Sequence, residues 1–318
     1  MKILLYAGSQ TTDITALCSR PVWSGDKLRA VRELRFDALR APETQIEIGD
    51  HVALLDEEGD KAFWGEVVTV NRALDAPAIS VRCFDYGMFL ANNQGTYNFR
   101  SITPEAACAK ICTDYGIPLL RAAPTGVQLS RKFARCSLFD ILTTLYTLAG
   151  ERTGQRFMIR FAGTSLEVVE RTVTPHALRI EAGGNLFEAA GTSDITGLCN
   201  SVAIYSRDGR RLQVIENTEA RRFGLMQRHI VESKKQDAAR QAKAILEDRG
   251  PVLRLTVEAA GDFAVRTGDT VELETAQRPA ELYWVDADTH SWEDGLHTMR
   301  LELNHKNKPH TAEAGGEL

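Results

Sequence analysis

From Leu28 to Ala38 the chain alternates, with Leu28, Ala30, Leu34, Phe36 and Ala38 on one parity. Arg29, Glu33, Arg35 and Asp37 interrupt the other, and Val31 is the exception. A period of two with one polar face predicts a half-buried strand. The pattern recurs at Ile46–Ile48, Val52–Leu55, Phe63–Val70 and Ile79–Phe84, separated by the turn signals Gly49-Asp50 and Glu58-Gly59-Asp60. The apolar run Ile3–Ala7 stops at Gly8 and reads as a first strand. Short strands joined by Gly/Asp turns at this spacing predict an antiparallel barrel or sandwich.

The period then changes. Thr103 and Pro104 supply an N-cap and a first helical residue, and Cys108, Ile111, Cys112 and Tyr115 fall on one helical face before Gly116 and Pro118. A second helix runs from Ser137 through Ala149 with Gly150 as its stop, apolar on most faces and therefore buried on two sides. Arg156–Phe161 and Leu166–Arg171 complete a compact α+β insert over about Ala91–Arg171. Strand character returns at Ser201–Tyr205 and Leu212–Ile215. It is interrupted by a helix over about 234–249, announced by a capping box at Ser233 and Gln236.

An internal echo links the two ends of the chain. Gly49-Asp50 is followed by the strand Val52–Leu54, by Trp64 fifteen residues after the glycine, and by a closing strand at Ser80–Phe84. Gly268-Asp269 is followed by Val271–Leu273, by Trp284 sixteen residues after the glycine, and by Thr298–Leu303. Four features in the same order predict a duplicated domain, with Gly49, Asp50, Trp64, Gly268, Asp269 and Trp284 as its defining residues. Two copies are too few for a solenoid. The expected division is 1–90 for the first β domain, 91–195 for the middle domain and its connection, 196–304 for the second β domain, and 305–318 for a flexible polar tail.

Composition narrows the function. The chain has 318 residues, 43% hydrophobic and 25% charged, with a formal net charge of -5 and no basic block, which argues against phosphate-backbone binding. No stretch approaches the roughly 20 apolar residues of a membrane-spanning helix, so a chain without a membrane-spanning segment is expected. The six scattered cysteines read as reduced, buried thiols. His290, His297, His305 and His310 crowd the C-terminal region at spacings that fit no zinc motif, so a polar tail after Leu303 is favoured over a metal site. Cys108 and Cys112 share their face with Ile111 and Tyr115, which favours core packing. Trp23, Trp64, Trp284 and Trp292 read as core or subunit-interface residues before sugar platforms. No nucleophile elbow, cysteine–histidine pair or separated carboxylate pair is visible, so neither catalysis nor a cofactor is expected.

Longer motifs carry a resemblance. Phe84-Asp85-Tyr86-Gly87-Met88-Phe89-Leu90, then Tyr97, Thr103-Pro104-Glu105 and Asp114-Tyr115-Gly116-Ile117-Pro118 resemble the baseplate hub proteins of contractile phage tails, of the late control protein D and XkdQ/YqbQ type. Ser137–Leu142, Gln155–Arg160, Phe223-Gly224-Leu225 and His297–Leu303 extend it over nearly the whole chain. The resemblance implies a mainly β, α+β fold with two tail-tube-like antiparallel β domains around an α+β insert. It implies a homotrimer forming a pseudo-sixfold ring between the tail tube protein and the central spike protein, among other baseplate proteins. The particle, a virion or tail-like bacteriocin, would be assembled in the bacterial cytoplasm. The Arg-rich strand after Trp23 departs from the pattern, and no C-terminal lysozyme or cell-wall module is seen. A tail-tip cell-wall hydrolase and a glycan-binding module are the rival readings, separable by a peptidoglycan zymogram and a glycan array.

Overall fold

The computed structural model describes residues 1–317 except Leu74 and residues 233–236. The first β series comprises β1 (Lys2–Ala7), β2 (Gln10–Asp13), β3 (Cys18–Asp26), β4 (Glu33–Leu39), β5 (His51–Leu55), β6 (Lys61–Asn71) and β7 (Ala78–Asp85). They lie in the order β3-β4-β7-β6-β5-β1-β2. The alternation sets the faces. Leu34, Phe36 and Ala38 turn into a core with Trp23, Val52, Phe63, Ile79 and Val81. Glu33, Asp37, Ser80 and Arg82 face outward and bond across the strands, Arg82 to Glu33 and Ser80 to Asp37.

Two expected strands are shorter or absent. The Leu28–Ala38 strand begins only at Glu33, because Lys27–Arg32 leave the sheet as a loop. That loop is anchored by Leu28 N donating to Asp26 Oδ1 and Arg32 N donating to Asp85 Oδ1. Ile46–Ile48 forms no strand. A turn at Pro42–Thr44 and the Asp50 side chain, which accepts from Glu47 N, take its backbone bonds.

The insert follows as α1 (Gly87–Asn92), β8 (Gln94–Ile102), α2 (Pro104–Tyr115), β9 (Leu119–Ala122), β10 (Leu129–Ser137), α3 (Leu138–Thr153), β11 (Phe157–Ala162) and β12 (Ser165–Glu170). Thr103 Oγ1 accepts from Ala106 N at 3.3 Å, and Gly116 ends α2 in the left-handed region at φ 64°. The helix α3 runs past Gly150, which packs against the Gln155 carbonyl. Gly154 at φ 85° is its actual stop. Cys108 and Cys112 lie in the core of this layer with Ile111, Ile141, Leu142, Tyr146 and Phe157.

The chain continues through β13 (Arg179–Glu181) and β14 (Leu186–Asp194), then β15 (Ser201–Tyr205), β16 (Arg211–Glu216), β17 (Gln227–Val231) and α4 (Ala238–Asp248). It closes with β18 (Val252–Ala260), β19 (Thr270–Thr275), β20 (Arg278–Glu293), β21 (Leu296–Asn304) and β22 (Gly316–Glu317). The second β series is ordered β14-β18-β21-β20-β19-β13.

Residues 190–255 form a compact unit of their own, and residues 1–189 with 256–318 form the other. The boundary expected at 196 therefore differs from the observed one: the second β series draws on 179–194 and 252–304. In the smaller unit, β15 lies between β16 and β17, and α4 buries Ala242 and Leu246 against Val202 and Ile204. The capping box proposed at Ser233 and Gln236 lies outside the described residues. Asp237 caps α4, its side chain accepting from Ala239 N and Arg240 N.

The tail expected to be flexible is docked. Ala314 N donates to Thr144 Oγ1, Arg131 Nε donates to the Ala314 carbonyl, His310 stacks on Phe139, and β22 pairs with β10. Its few apolar atoms gave no signal, since backbone bonds to the insert carry the attachment.

Candidate interface site

The two Gly-Asp turns repeat bond for bond. Gly49 has φ 92° and Gly268 φ 99°, a region glycine enters without steric cost. Gly49 N donates to Val67 O at 3.0 Å and Val67 N to Asp50 O at 2.8 Å. Gly268 N donates to Val285 O at 2.9 Å and Val285 N to Asp269 O at 2.9 Å. Each aspartate closes its own turn: Asp50 Oδ2 accepts from Glu47 N at 2.8 Å, and Asp269 Oδ2 from Arg266 N at 3.0 Å. Burial raises the Asp269 carboxyl above its ordinary value, against the pull of Arg266.

The strand pairing also repeats, bulge included. On β6 the register breaks between Val67 and Thr69, and on β20 between Val285 and Ala287. Opposite the turns, His51 faces Glu66 and Thr270 faces Trp284. Trp284 therefore stands where the first series has Glu66. The counterpart of Trp64, which faces Ala53, is Leu282, which faces Glu272. The expected pairing of Trp64 with Trp284 is displaced by two residues, because counting from the glycines ignores the different hairpin lengths between the paired strands.

Their surroundings differ accordingly. Trp64 packs with Tyr6 at 4.8 Å and His51 at 5.6 Å, with Lys61 Nζ 4.5 Å above its ring. Trp284 lies beneath the Arg171 guanidinium at 5.1 Å. A Cβ at Gly49 would meet open space, whereas at Gly268 it would collide with Met158 Sδ of the insert.

The two series are joined directly. Strand β20 pairs antiparallel with β3 from Ala287–Asp26 to Ser291–Val22. The Lys27–Arg32 loop clasps this joint from the first series. Lys27 N donates to Asp286 O at 3.0 Å, and Lys27 Nζ to Asp286 Oδ2 at 2.5 Å. Arg32 makes a two-pronged pair with Asp288 at 2.9 and 2.5 Å while stacking on Trp23 at 4.3 Å. Asp288 also accepts from Thr267 N and Oγ1, both at 2.6 Å. Burial pushes this carboxyl up, but Arg32 and the hydrogen bonds outweigh it and hold it below the ordinary range. Behind it, His290 Nε2 donates to the Val265 carbonyl at 3.0 Å, and its Nδ1 lies 3.1 Å from His297 Nε2. Burial lowers both imidazoles, His297 to about 4.

Of the four candidate histidines, His290 is thus buried in the core of the joint and His297 lies half-buried beside it. Sequence reasoning missed Lys27, Arg32, Asp286 and Asp288. The only signal was their charge beside apolar alternation. Among the described residues no group of three His, Cys, Asp or Glu could hold a metal ion, and the six cysteines are free. No helix among the described residues is long and apolar enough to cross a membrane. This arrangement can do what a structural joint does: hold two β modules at a fixed relation through paired strands and a buried ion pair.

That fold is the fold of phage tail proteins. The 43 kDa tail protein of prophage MuSo2 from Shewanella oneidensis superposes with a TM-score of 0.74 at 12% identity, covering 95% of this chain and 97% of that one. The tail protein from Neisseria meningitidis MC58 gives 0.72 at 14% identity, with 95% and 96% covered. Residues 22–304 match the YQBQ-like family, and the chain belongs to it. In sequence it is similar to the XkdQ protein of the phage-like element PBSX from Bacillus subtilis strain 168, 22% identical over 81% of this chain and 82% of that protein.

Proposed function

We propose that the chain is the structural baseplate hub of a contractile phage tail or tail-like particle, acting as a homotrimeric adapter without catalysis. The observation that carries this is the duplicated turn, with the same hydrogen bonds at Gly49-Asp50 and Gly268-Asp269. A chain with two equivalent β modules presents two similar docking surfaces, so three chains present six. A tail tube built of sixfold rings and a threefold spike have unequal numbers of sites, and such a trimer matches both. Closed rotational symmetry also covers strand edges that a lone module leaves exposed. The insert, present once per chain, marks the threefold difference and faces the spike or the surrounding baseplate.

The test is co-purification of the intact chain with the tube protein and the spike protein of its own particle. Retention of both in one complex is expected, with no turnover of peptidoglycan. Binding to neither, or peptidoglycan turnover abolished by changing a single carboxylate or thiol, contradicts the reading and favours the tail-tip hydrolase.

A further inference from the structure

The joint between β3 and β20 has two faces. Asp288 and His290 turn from one of them into the core, and the alternate positions turn the other way. There Asp26, Ala287 and Glu302 stand side by side on β3, β20 and β21, with Ser24 and Thr289 paired next to them. This second face is the floor of a groove of about 710 Å³. Its walls are the loop from Leu28 to Val31 and the insert at Ala91 and Ser137–Asp140. All the residues that line it belong to the larger compact unit.

The lining is both apolar and acidic. Leu28 is 58% exposed on the loop, and Phe139 stands half-buried on the insert. The carboxylates of Asp26, Glu33, Asp140 and Glu302 face the single guanidinium of Arg29. Glu33 is already neutralised by Arg35 and Arg82, each at 2.8 Å. The other three form no ion pair among the described residues. Asp26 accepts from Leu28 N, Asp140 accepts from Ser137 Oγ, and Glu302 is exposed. The neighbouring bases do not compensate them. Lys27 Nζ is bound to Asp286 and to the Lys308 carbonyl, and burial holds His310, stacked on Phe139, below its ordinary value. Unpaired carboxylates beside exposed apolar surface complement a segment that carries positive charge and apolar side chains together.

We propose that this groove docks a lysine- or arginine-bearing, partly apolar segment of another protein of the particle. This rests on the hub reading and gives one of its partners a surface. The groove needs the Lys27–Arg32 loop, the insert and the joint at once, and the insert is present once per chain, so a trimer offers three such grooves. It therefore suits a partner of the threefold side, and not a tube protein that meets both modules alike. The cationic side chains of the segment lie toward Asp26, Asp140 and Glu302, and its apolar side chains against Leu28 and Phe139.

The experiment places the photoreactive residue p-benzoylphenylalanine at Leu28 of the full chain, co-expresses it with the tube, spike and neighbouring baseplate proteins of its particle, and maps the crosslinks by mass spectrometry. A crosslink to a lysine- or arginine-bearing segment of the spike or a baseplate protein is expected. Crosslinks only to the tube protein, to a second copy of this chain or to an acidic segment overturn the groove and leave the hub reading standing, as does an intact complex that gives none. If no complex forms, the hub reading fails and the groove with it. As a second arm, Leu28→Arg and Glu302→Lys are each expected to weaken binding of the crosslinked protein by about tenfold, since each sets a positive charge against the segment. Both side chains are exposed, so the thermal midpoint and solution mass should stay those of the wild type. Unchanged binding by either folded variant contradicts the proposal.

Discussion

Gly49 and Gly268 adopt the same left-handed turn in different surroundings: the first faces open space, and the second lies under Met158 of the insert. Alanine at either position puts a Cβ into a region that costs roughly 1–2 kcal/mol. Gly268→Ala must also displace the Met158 side chain, adding about 1–3 kcal/mol of overpacking. Urea unfolding should show both variants destabilised and Gly268→Ala the more so. Equal losses would mean that the insert does not rest on the second turn.

Gly87 is required by a close approach. A Cβ there would collide with the Ala30 carbonyl and crowd Asp85 Oδ1, so Gly87→Ala must push the Lys27–Arg32 loop away from the joint. A loss of about 2 kcal/mol or more is expected. It should be accompanied by faster amide exchange at Lys27 and Arg32, whose N–H groups bond to Asp286 and Asp85. Unaltered exchange would show that the loop adapts without loosening.

The Arg32–Asp288 pair is buried and its partners lie far apart in sequence. Asp288→Asn keeps an acceptor for Thr267 but leaves Arg32 without its carboxylate, which costs about 3–5 kcal/mol for a buried pair broken on one side. Arg32→Met with Asp288→Leu removes both charges and should recover much of that loss. A double-mutant cycle by denaturant unfolding measures the coupling, and additive losses would remove the pair from the account.

Acid and base act on the joint with opposite signs. Burial holds His297 down at about 4 when folded, against 6.5 unfolded, so its contribution is complete above 6.5 and disappears as pH falls toward 4. Burial pushes the Asp85 carboxyl up to about 7 from 3.8, against the bonds from Arg32 N and Gly87 N. Its contribution is therefore present below 3.8 and is lost as pH rises through 7. Thermal unfolding between about pH 4 and 8 should show His297→Gln flattening the acid side and Asp85→Asn the alkaline side. A variant with the wild-type profile would contradict the assignment for its residue.

The elements with local causes were legible in the sequence. The Gly-Asp turns close on their own aspartates, α2 is framed by Thr103 and Gly116, and β4 reads from alternation alone. What was hidden depends on partners distant in the chain. Arg32 and Asp288 look like solvated charges until β3 meets β20. The Trp64–Trp284 correspondence failed because spacing cannot register a hairpin of different length. Strand β14, reading Leu-Phe-Glu-Ala-Ala-Gly-Thr-Ser-Asp, has no alternation because nearly all of it is exposed, so the start of the smaller unit left no mark. The docked tail was missed because Ala314 and Gly315 are held through backbone carbonyls.

The central claim is that two modules per chain close as three chains into one ring, and the mass of the purified protein in solution tests it most directly. Sedimentation equilibrium should give three times the 35.2 kDa chain mass, independent of loading over the concentrations at which the ring is closed. A single chain mass at every concentration, or a stable dimer, would contradict the account.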